Sequence, residues 1–125
     1  MKLSRAGKTI PFKHNCVNGE GGLDEVLKGL TDESVFILVE GVYSMDGDVA
    51  PLQEIVACVK RRLKNGYIIV DEAHSTGLYG KQGRGLVCEL GLEKEIFARL
   101  HTFGKAMSSF GVNGYTDTAS VYSPR

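Results

Sequence analysis

Two residues of opposite charge lie where strand-like segments of the sequence give way to turns. Lys105 belongs to the glycine-containing run 101–106, and Asp71 follows the apolar run 67–70, 34 residues before the lysine. An amine on a turn and a carboxylate at the end of a buried strand are two groups that pyridoxal phosphate chemistry requires. The amine holds the aldehyde of that cofactor, and the carboxylate keeps its ring nitrogen protonated so that the ring can accept electrons. The pair predicts a site for this cofactor, although most lysines are solvated and strand-end aspartates commonly cap turns.

Apolar residues alternate between helical and extended spacing along the chain. Helical spacing predicts amphipathic helices at 23–30, 51–64 and 86–90. Short apolar runs predict strands at 35–39 and 67–70, and a third strand is expected at 96–100. The first of these strands is expected to be covered on both faces. Strands and helices in this order are typical of a parallel α/β sheet with right-handed crossovers.

Polar side chains follow the carboxyl end of each predicted strand. They form three pairs in sequence order: Glu40 with Ser44, Asp71 with His74, and Thr102 with Lys105. Ligands of parallel α/β sheets collect outside the carboxyl ends of the strands. We therefore expect the three pairs to lie at one edge of the sheet.

Composition limits the class of protein. The chain has 125 residues, enough for one domain at most, and its 15 basic and 15 acidic residues cancel. A formal charge of zero predicts no general attraction to nucleic acid. Cys16, Cys58 and Cys88 are odd in number and too widely spaced for a zinc motif, which favours a reducing, intracellular compartment. No apolar run approaches the roughly 20 residues of a membrane span.

Three linked motifs carry a resemblance to a known family. They lie at 40–52, 70–85 and 101–106, and the second contains the run Asp71-Glu72-Ala73-His74. In their order and spacing the motifs resemble the α-oxoamine synthases, a branch of the fold-type-I pyridoxal phosphate enzymes. The similarity extends from about Leu3 to about Gly114.

The resemblance also implies a domain organisation. Residues 1–114 would form the central part of the large domain of such an enzyme, a mostly parallel α/β sheet with flanking helices. Residues 115–125 are polar and lack a core pattern, so an irregular tail is expected there. Family members carry further cofactor-binding and substrate-binding groups on either side of this segment. The chain is therefore expected to be a fragment of the large domain.

The resemblance assigns a role to each of five residues. Lys105 would hold the cofactor and later move the α-proton of the substrate, and Asp71 would contact the ring nitrogen. His74 would donate a hydrogen bond to the phenolic oxygen of pyridoxal 5'-phosphate and so support catalysis. Ser44 would lie near the ring, and Thr102 would bind the phosphate. For Ser44 and Thr102 a turn or capping role stays open, and no metal site is predicted.

The family resemblance further implies a reaction and its partners. An amino acid condenses with an acyl-coenzyme A, with loss of carbon dioxide, to give an α-oxoamine. The run 45–52 is most similar to the 8-amino-7-oxononanoate synthases of biotin synthesis. The 5-aminolevulinate synthases, glycine C-acetyltransferases and serine palmitoyltransferases stay open, as does a catalytically inactive fragment. A homodimer is expected for the full-length enzyme, in the cytoplasm or in mitochondria.

Overall fold

A five-stranded sheet with helices packed on it forms the protein. The structure, a computed structural model, describes residues 8–30, 34–109, 111–116 and 119–122. Within these residues the helices are α1 (Leu23–Lys28), α2 (Leu52–Arg62) and α3 (Leu86–Glu89). The strands are β1 (Val35–Glu40), β2 (Gly66–Asp71), β3 (Ala98–Thr102), β4 (Val112–Thr116) and β5 (Ala119–Tyr122). No helix in this part of the chain combines the length and the apolar character needed to cross a membrane.

The strands lie side by side in the order in which they occur in the sequence. β1, β2 and β3 are parallel, whereas β4 and β5 are antiparallel to their neighbours. The register sets Glu40 beside Asp71, and Asp71 beside Leu100. The predicted α/β class is confirmed by the three parallel strands with helices packed on them, to which β4 and β5 add two antiparallel pairings. β3 begins and ends two residues later than predicted, so that Thr102 is its last residue.

The observed secondary structure differs from the prediction at residues 115–125, where an irregular tail was expected. Tyr115 and Thr116 belong to β4, where they pair with Arg99 and Ala98 of β3, and 119–122 form β5. A strand can pair with an exposed strand edge through its backbone groups alone and needs no apolar pattern. Composition therefore does not reveal these strands. Positions 117–118 and 123–125 lie outside the described residues. The assignment of 1–114 to a large domain stays a prediction.

The hydrophobic core lies on one face of the sheet. Ile37 and Val39 of β1 are buried there with apolar residues of all three helices, among them Leu27, Ile55 and Val87. β1, β2 and β3 follow one another in one direction, so right-handed crossovers place their connections on the same face. The other face presents Phe36 and Leu38, whose exposed fractions are 52% and 48%. The prediction that β1 is covered on both faces is therefore wrong for this chain.

Helices α1 and α2 are joined by a charged cluster around one carboxylate. Asp24 accepts hydrogen bonds from Arg61 Nη2 at 2.7 Å and from Arg62 Nε and Nη2 at 2.7 and 2.8 Å. The hydrogen bonds from Arg62 and Arg61 hold the pKa of Asp24 well below its usual range. The basic end of α2 thus binds the first turn of α1.

We predict that Asp24→Asn lowers the urea midpoint of the chain at pH 7, because the amide cannot pair with two guanidinium groups. The folded-state pKa of Asp24 is depressed, so its stabilisation is present above the ordinary carboxyl pKa and is lost as pH falls below about 4. The difference in midpoint between variant and parent should shrink in that acid range. Circular dichroism during urea titration measures it, with the exposed Glu20→Gln as a control. Equal midpoints at pH 7 would contradict the prediction.

Candidate cofactor site at the carboxyl ends of the strands

Asp71 lies at the end of β2 with its carboxylate held in place. Its Oδ1 accepts a hydrogen bond from the backbone N–H of Ala73 at 2.8 Å, and the side chain is half-buried. Two backbone hydrogen bonds fix the adjoining chain: Gly41 N–H donates to the Asp71 carbonyl, and Glu72 N–H to the Leu100 carbonyl, each at 2.8 Å. A carboxylate is thereby presented at the edge where β1, β2 and β3 end.

Lys105 lies on a compact turn after β3. Its Nζ donates a hydrogen bond of 3.4 Å to Oγ1 of Thr102, the last residue of β3. The turn is closed by backbone bonds from Phe103 N–H to the Gly111 carbonyl and from Ser109 N–H to the Phe103 carbonyl, at 3.1 and 2.7 Å. Lys105 is exposed. An accessible amine and a hydroxyl therefore lie side by side.

The loop that follows Asp71 packs against the turn that carries Lys105. Gly77 has a φ of 86°, and a Cβ added there would lie 3.1 Å from Met107 Sδ and 3.2 Å from Ala106 Cβ. The absence of a side chain at Gly77 permits this close approach. His74 is half-buried in the same loop, three residues earlier. Two of the three motifs thus meet in space although about 30 residues separate them.

Ser44 lies on a separate exposed loop after β1. Its backbone N–H donates to Glu40 Oε2 at 3.3 Å. The loop closes on itself through the hydrogen bond from Tyr43 N–H to the Asp48 carbonyl, 2.9 Å, and through the bridge between Val42 and Val49. The structure therefore places Ser44 beyond the end of β1, at the same sheet edge, without showing a contact of its hydroxyl.

A second polar cluster surrounds Asp48 on this loop. Asp48 Oδ2 accepts from Asn15 Nδ2 at 2.6 Å and lies 2.7 Å from His14 Nε2, and this contact with His14 holds the pKa of Asp48 below its usual range. Ligand-type atoms of His14, Asp46 and Asp48 lie within 4.8 Å of one another. Sequence reasoning missed this cluster because His14 lies 34 residues before Asp48.

A fully buried acid, Glu72, was also missed from the sequence. Its side chain is 0% exposed, and Oε1 accepts hydrogen bonds from Ser75 Oγ and from Val87 N–H, both at 3.0 Å. Gly85 has a φ of 98°, and a Cβ on it would collide with the Glu72 carboxylate. Glycine at this position therefore makes room for a buried acid.

His101 lies beside Glu72 in the core. Its Nε2 is 3.6 Å from Glu72 Oε2, and its Nδ1 is 2.8 Å from Thr76 Oγ1. Burial lowers the pKa of His101, and the nearby Glu72 carboxylate opposes that change. One signal was available in the sequence, since successive strand residues face opposite ways. If Asp71 and Thr102 face a ligand, their neighbours Glu72 and His101 face the core.

The groups at this edge fit pyridoxal phosphate in their chemistry. Lys105 supplies an accessible amine for an aldehyde, and Thr102 a hydroxyl for a phosphate oxygen. Asp71 supplies an oriented carboxylate for a ring nitrogen, and His74 an imidazole. Gly77, in the loop after Asp71, lies close to Ala106 and Met107 of the turn that carries Lys105. The loop with the acid and the turn with the amine are therefore neighbours. The set comprises four of the five residues predicted from the sequence, and the fifth, Ser44, lies on the loop after β1, where its N–H donates to Glu40.

The chain is similar in sequence to known proteins of one family. Residues 3–118 match the family described as aminotransferase class I and II. The chain is 50% identical to an 8-amino-7-oxononanoate synthase of Emericella nidulans over 89% of its own length and 29% of that protein. It is 45% identical to a serine palmitoyltransferase of Caulobacter vibrioides, covering 86% of the chain and 26% of that protein.

Solved structures give the same picture. A serine palmitoyltransferase from Sphingomonas wittichii superposes with a TM-score of 0.74 at 40% identity, over 85% of this chain and 26% of that one. The enzyme from S. paucimobilis, solved with bound PLP–myriocin aldimine, gives 0.74 at 39% identity with the same coverage. The chain thus spans about a quarter to three tenths of the relatives it matches. The resemblance predicted from the motifs is confirmed, and the chain belongs to the aminotransferase class I and II family.

Proposed function

We propose that this chain is the cofactor-binding segment of a pyridoxal phosphate-dependent acyltransferase. The reaction is condensation of an amino acid with an acyl-coenzyme A to an α-oxoamine, with release of carbon dioxide and coenzyme A. The observation that carries the proposal is the contact between Lys105 Nζ and Thr102 Oγ1 beside the strand end that presents Asp71.

Each predicted site residue has a task in that reaction. Bound pyridoxal phosphate supplies an aldehyde and a ring that accepts electrons. Lys105 would hold the aldehyde of the cofactor, and its amine would accept the proton from the substrate α-carbon. Asp71, oriented by Ala73 N–H, would keep the ring nitrogen protonated. Thr102 would donate to a phosphate oxygen and His74 to the phenolic oxygen, while Ser44 would lie near the ring.

For the specific member of the family, we infer an 8-amino-7-oxononanoate synthase-like enzyme of biotin biosynthesis. The run 45–52 and the Emericella nidulans relative at 50% identity support this assignment. Serine palmitoyltransferase is the second candidate, because relatives with that activity reach 45% identity. The 5-aminolevulinate synthase and glycine C-acetyltransferase activities have less support. We place the enzyme inside the cell, in the cytoplasm or in mitochondria, as a homodimer, and its three cysteines are free thiols.

The first test of the proposal asks which lysine reacts with the cofactor. We expect Lys105 to be the main pyridoxylated residue after the chain is treated with pyridoxal phosphate and reduced with borohydride, because its amine is exposed and Thr102 lies beside it. Peptide mass spectrometry locates the label. Lys105→Ala should remove most of it.

Lys64→Ala is the control, since Lys64 is also exposed and does not lie at the carboxyl ends of the strands. The control should leave the label on Lys105 unchanged. A uniform label over all lysines in the parent chain would refute the assignment of Lys105.

The role of Asp71 is tested in a chimaera in which 3–118 replace the matching segment of the Emericella nidulans synthase. Asp71→Asn should lower kcat about a hundredfold, in the range typical of losing one oriented electrostatic group. The content of pyridoxal phosphate should fall much less, because the carboxylate acts on the ring nitrogen and other residues hold the phosphate. Asp46→Asn, on the exposed loop after β1, serves as the control. Full activity of the Asp71→Asn chimaera would remove Asp71 from the site.

A second candidate function is that the 125-residue chain is itself inactive. The exposed apolar face around Phe36 and Leu38 and the coverage of about a quarter of each relative favour this outcome for the chain by itself. We expect no α-oxoamine when the purified chain is mixed with pyridoxal phosphate, alanine and pimeloyl-coenzyme A. Product analysis by mass spectrometry decides it, with the chimaera as the positive control. Turnover by the isolated chain would show that the candidate is wrong.

A further inference from the structure

The loop after β1, which carries Ser44, is held only weakly by apolar burial. Tyr43 packs partly against the core, but residues 44–47 are exposed and Asp48 is half-buried. The side chain of Met45 is 90% exposed. The position of Ser44 therefore depends on polar contacts of the loop rather than on the hydrophobic core.

A turn about 30 residues upstream supplies polar contacts to this loop. Asp48 Oδ2 accepts from Asn15 Nδ2 at 2.6 Å and lies 2.7 Å from His14 Nε2. The contact with His14 lowers the pKa of Asp48, so the carboxylate is ionised at neutral pH and Nε2 must be the donor. Asn15 Nδ2 also donates to the Val49 carbonyl at 3.3 Å. The rings of His14 and Tyr43 meet edge-on, with centroids 4.3 Å apart.

The turn that carries His14 and Asn15 is itself anchored on the core. Val17 is buried, with 4% of its surface exposed. Leu23 N–H, at the start of α1, donates to the Cys16 carbonyl at 2.9 Å. Asn15 has a φ of 49°, in the left-handed region that asparagine tolerates better than most residues. The contacts with the loop therefore come from a support whose position is set by α1 and the core.

We propose that the turn with His14 and Asn15 positions the loop after β1, and with it Ser44, at the carboxyl ends of the strands. The turn holds the side chain of Asp48. The backbone carries the link onward, because the Asp48 carbonyl accepts from the N–H of Tyr43, the residue before Ser44, at 2.9 Å. That Ser44 lies near a cofactor rests on the proposed function above, whereas the link between turn and loop does not.

A second acid on the loop increases the effect of His14. Side-chain nitrogen and oxygen atoms of His14, Asp46 and Asp48 lie within 4.8 Å of one another, so two carboxylates are close together. Carboxylates at this range repel each other, and a hydrogen-bond donor beside them offsets the repulsion. Loss of the His14 donor therefore removes a tie of the loop and also leaves the repulsion between the two acids unopposed.

Amide hydrogen exchange in the chain without cofactor tests the link, because exchange reports local opening. His14→Phe keeps an aromatic ring for Tyr43 but removes the donor to Asp48. The Tyr43 N–H should then exchange about fivefold faster, the upper end of what a partly exposed charged contact contributes. His14→Gln, which can donate to the carboxylate, should exchange within about twofold of the parent. Lys13→Gln, exposed on the same turn, is the matched control and should leave the rate unchanged.

The amides of β1 and β2 distinguish positioning of the loop from general weakening of the fold. Their exchange rates should be the same in His14→Phe and in the parent chain. Equal acceleration of the strand amides and of Tyr43 N–H would show an effect on stability, and the positioning role would be rejected. An unchanged rate of Tyr43 N–H in His14→Phe would reject it as well, and so would a His14→Gln chain that exchanges as fast as His14→Phe.

A double-variant cycle relates the link to the cofactor. At limiting pyridoxal phosphate, Ser44→Ala and His14→Phe should each lower labelling of Lys105 about threefold, within the range for one hydrogen bond. The double variant should lose no more, because His14 acts through Ser44. Losses that multiply would overturn the link to Ser44. If Ser44→Ala leaves labelling unchanged, the role of Ser44 in the proposed function fails, while the exchange of Tyr43 N–H still decides whether the turn positions the loop.

Discussion

Backbone hydrogen bonds between three parallel strands form the constraint on which the candidate site depends. The bonds from Gly41 N–H to the Asp71 carbonyl and from Glu72 N–H to the Leu100 carbonyl align the strand ends at one edge. They involve main-chain groups alone, so the edge exists before any ligand contributes. The loops that leave this edge then need to reach only a few residues to bring an acid, an imidazole, a hydroxyl and an amine together.

The alignment of the strands also determines which residues beside the site face the core. Because side chains alternate along a strand, a polar pair that faces outward is followed by positions that face inward. In this protein two of those inward positions are themselves polar, Glu72 and His101. Ser75 Oγ and Val87 N–H donate to Glu72 Oε1, Thr76 Oγ1 contacts His101 Nδ1, and Gly85 supplies space. The second oxygen, Glu72 Oε2, is buried without a hydrogen-bond partner among the described residues.

The three helices pack on one face of the sheet. α2 and α3 connect successive parallel strands in the same direction, so both pack on the face that holds Ile37, Val39 and Val70. α1 joins them through Leu23 and Leu27 and through the charged contacts of Asp24 with the end of α2. On the opposite face Phe36 stacks on Tyr67 with ring centroids 5.1 Å apart, and Tyr67 meets Phe97 edge-on at 5.0 Å. The aromatic rings reduce one another's exposure where no helix covers them.

Local pattern predicted the three helices and the strands β1, β2 and β3, and the family resemblance of three motifs led to the five proposed site residues. Periodicity placed α2 and β2 within a residue or two of their observed bounds, because both are long enough to show a clear apolar repeat. Motif spacing singled out Lys105 and Asp71, whose chemistry is visible in the sequence. Tertiary structure alone decided which atoms meet. The hydrogen bond of Lys105 with Thr102 depends on how one turn closes, and the pairing of Glu72 with His101 joins residues 29 positions apart in the sequence. The strands β4 and β5 could not be predicted from apolar pattern, because pairing with an edge strand uses backbone groups that every sequence has. The exposure of one face of β1 could not be predicted either, because burial depends on which residues are neighbours in space.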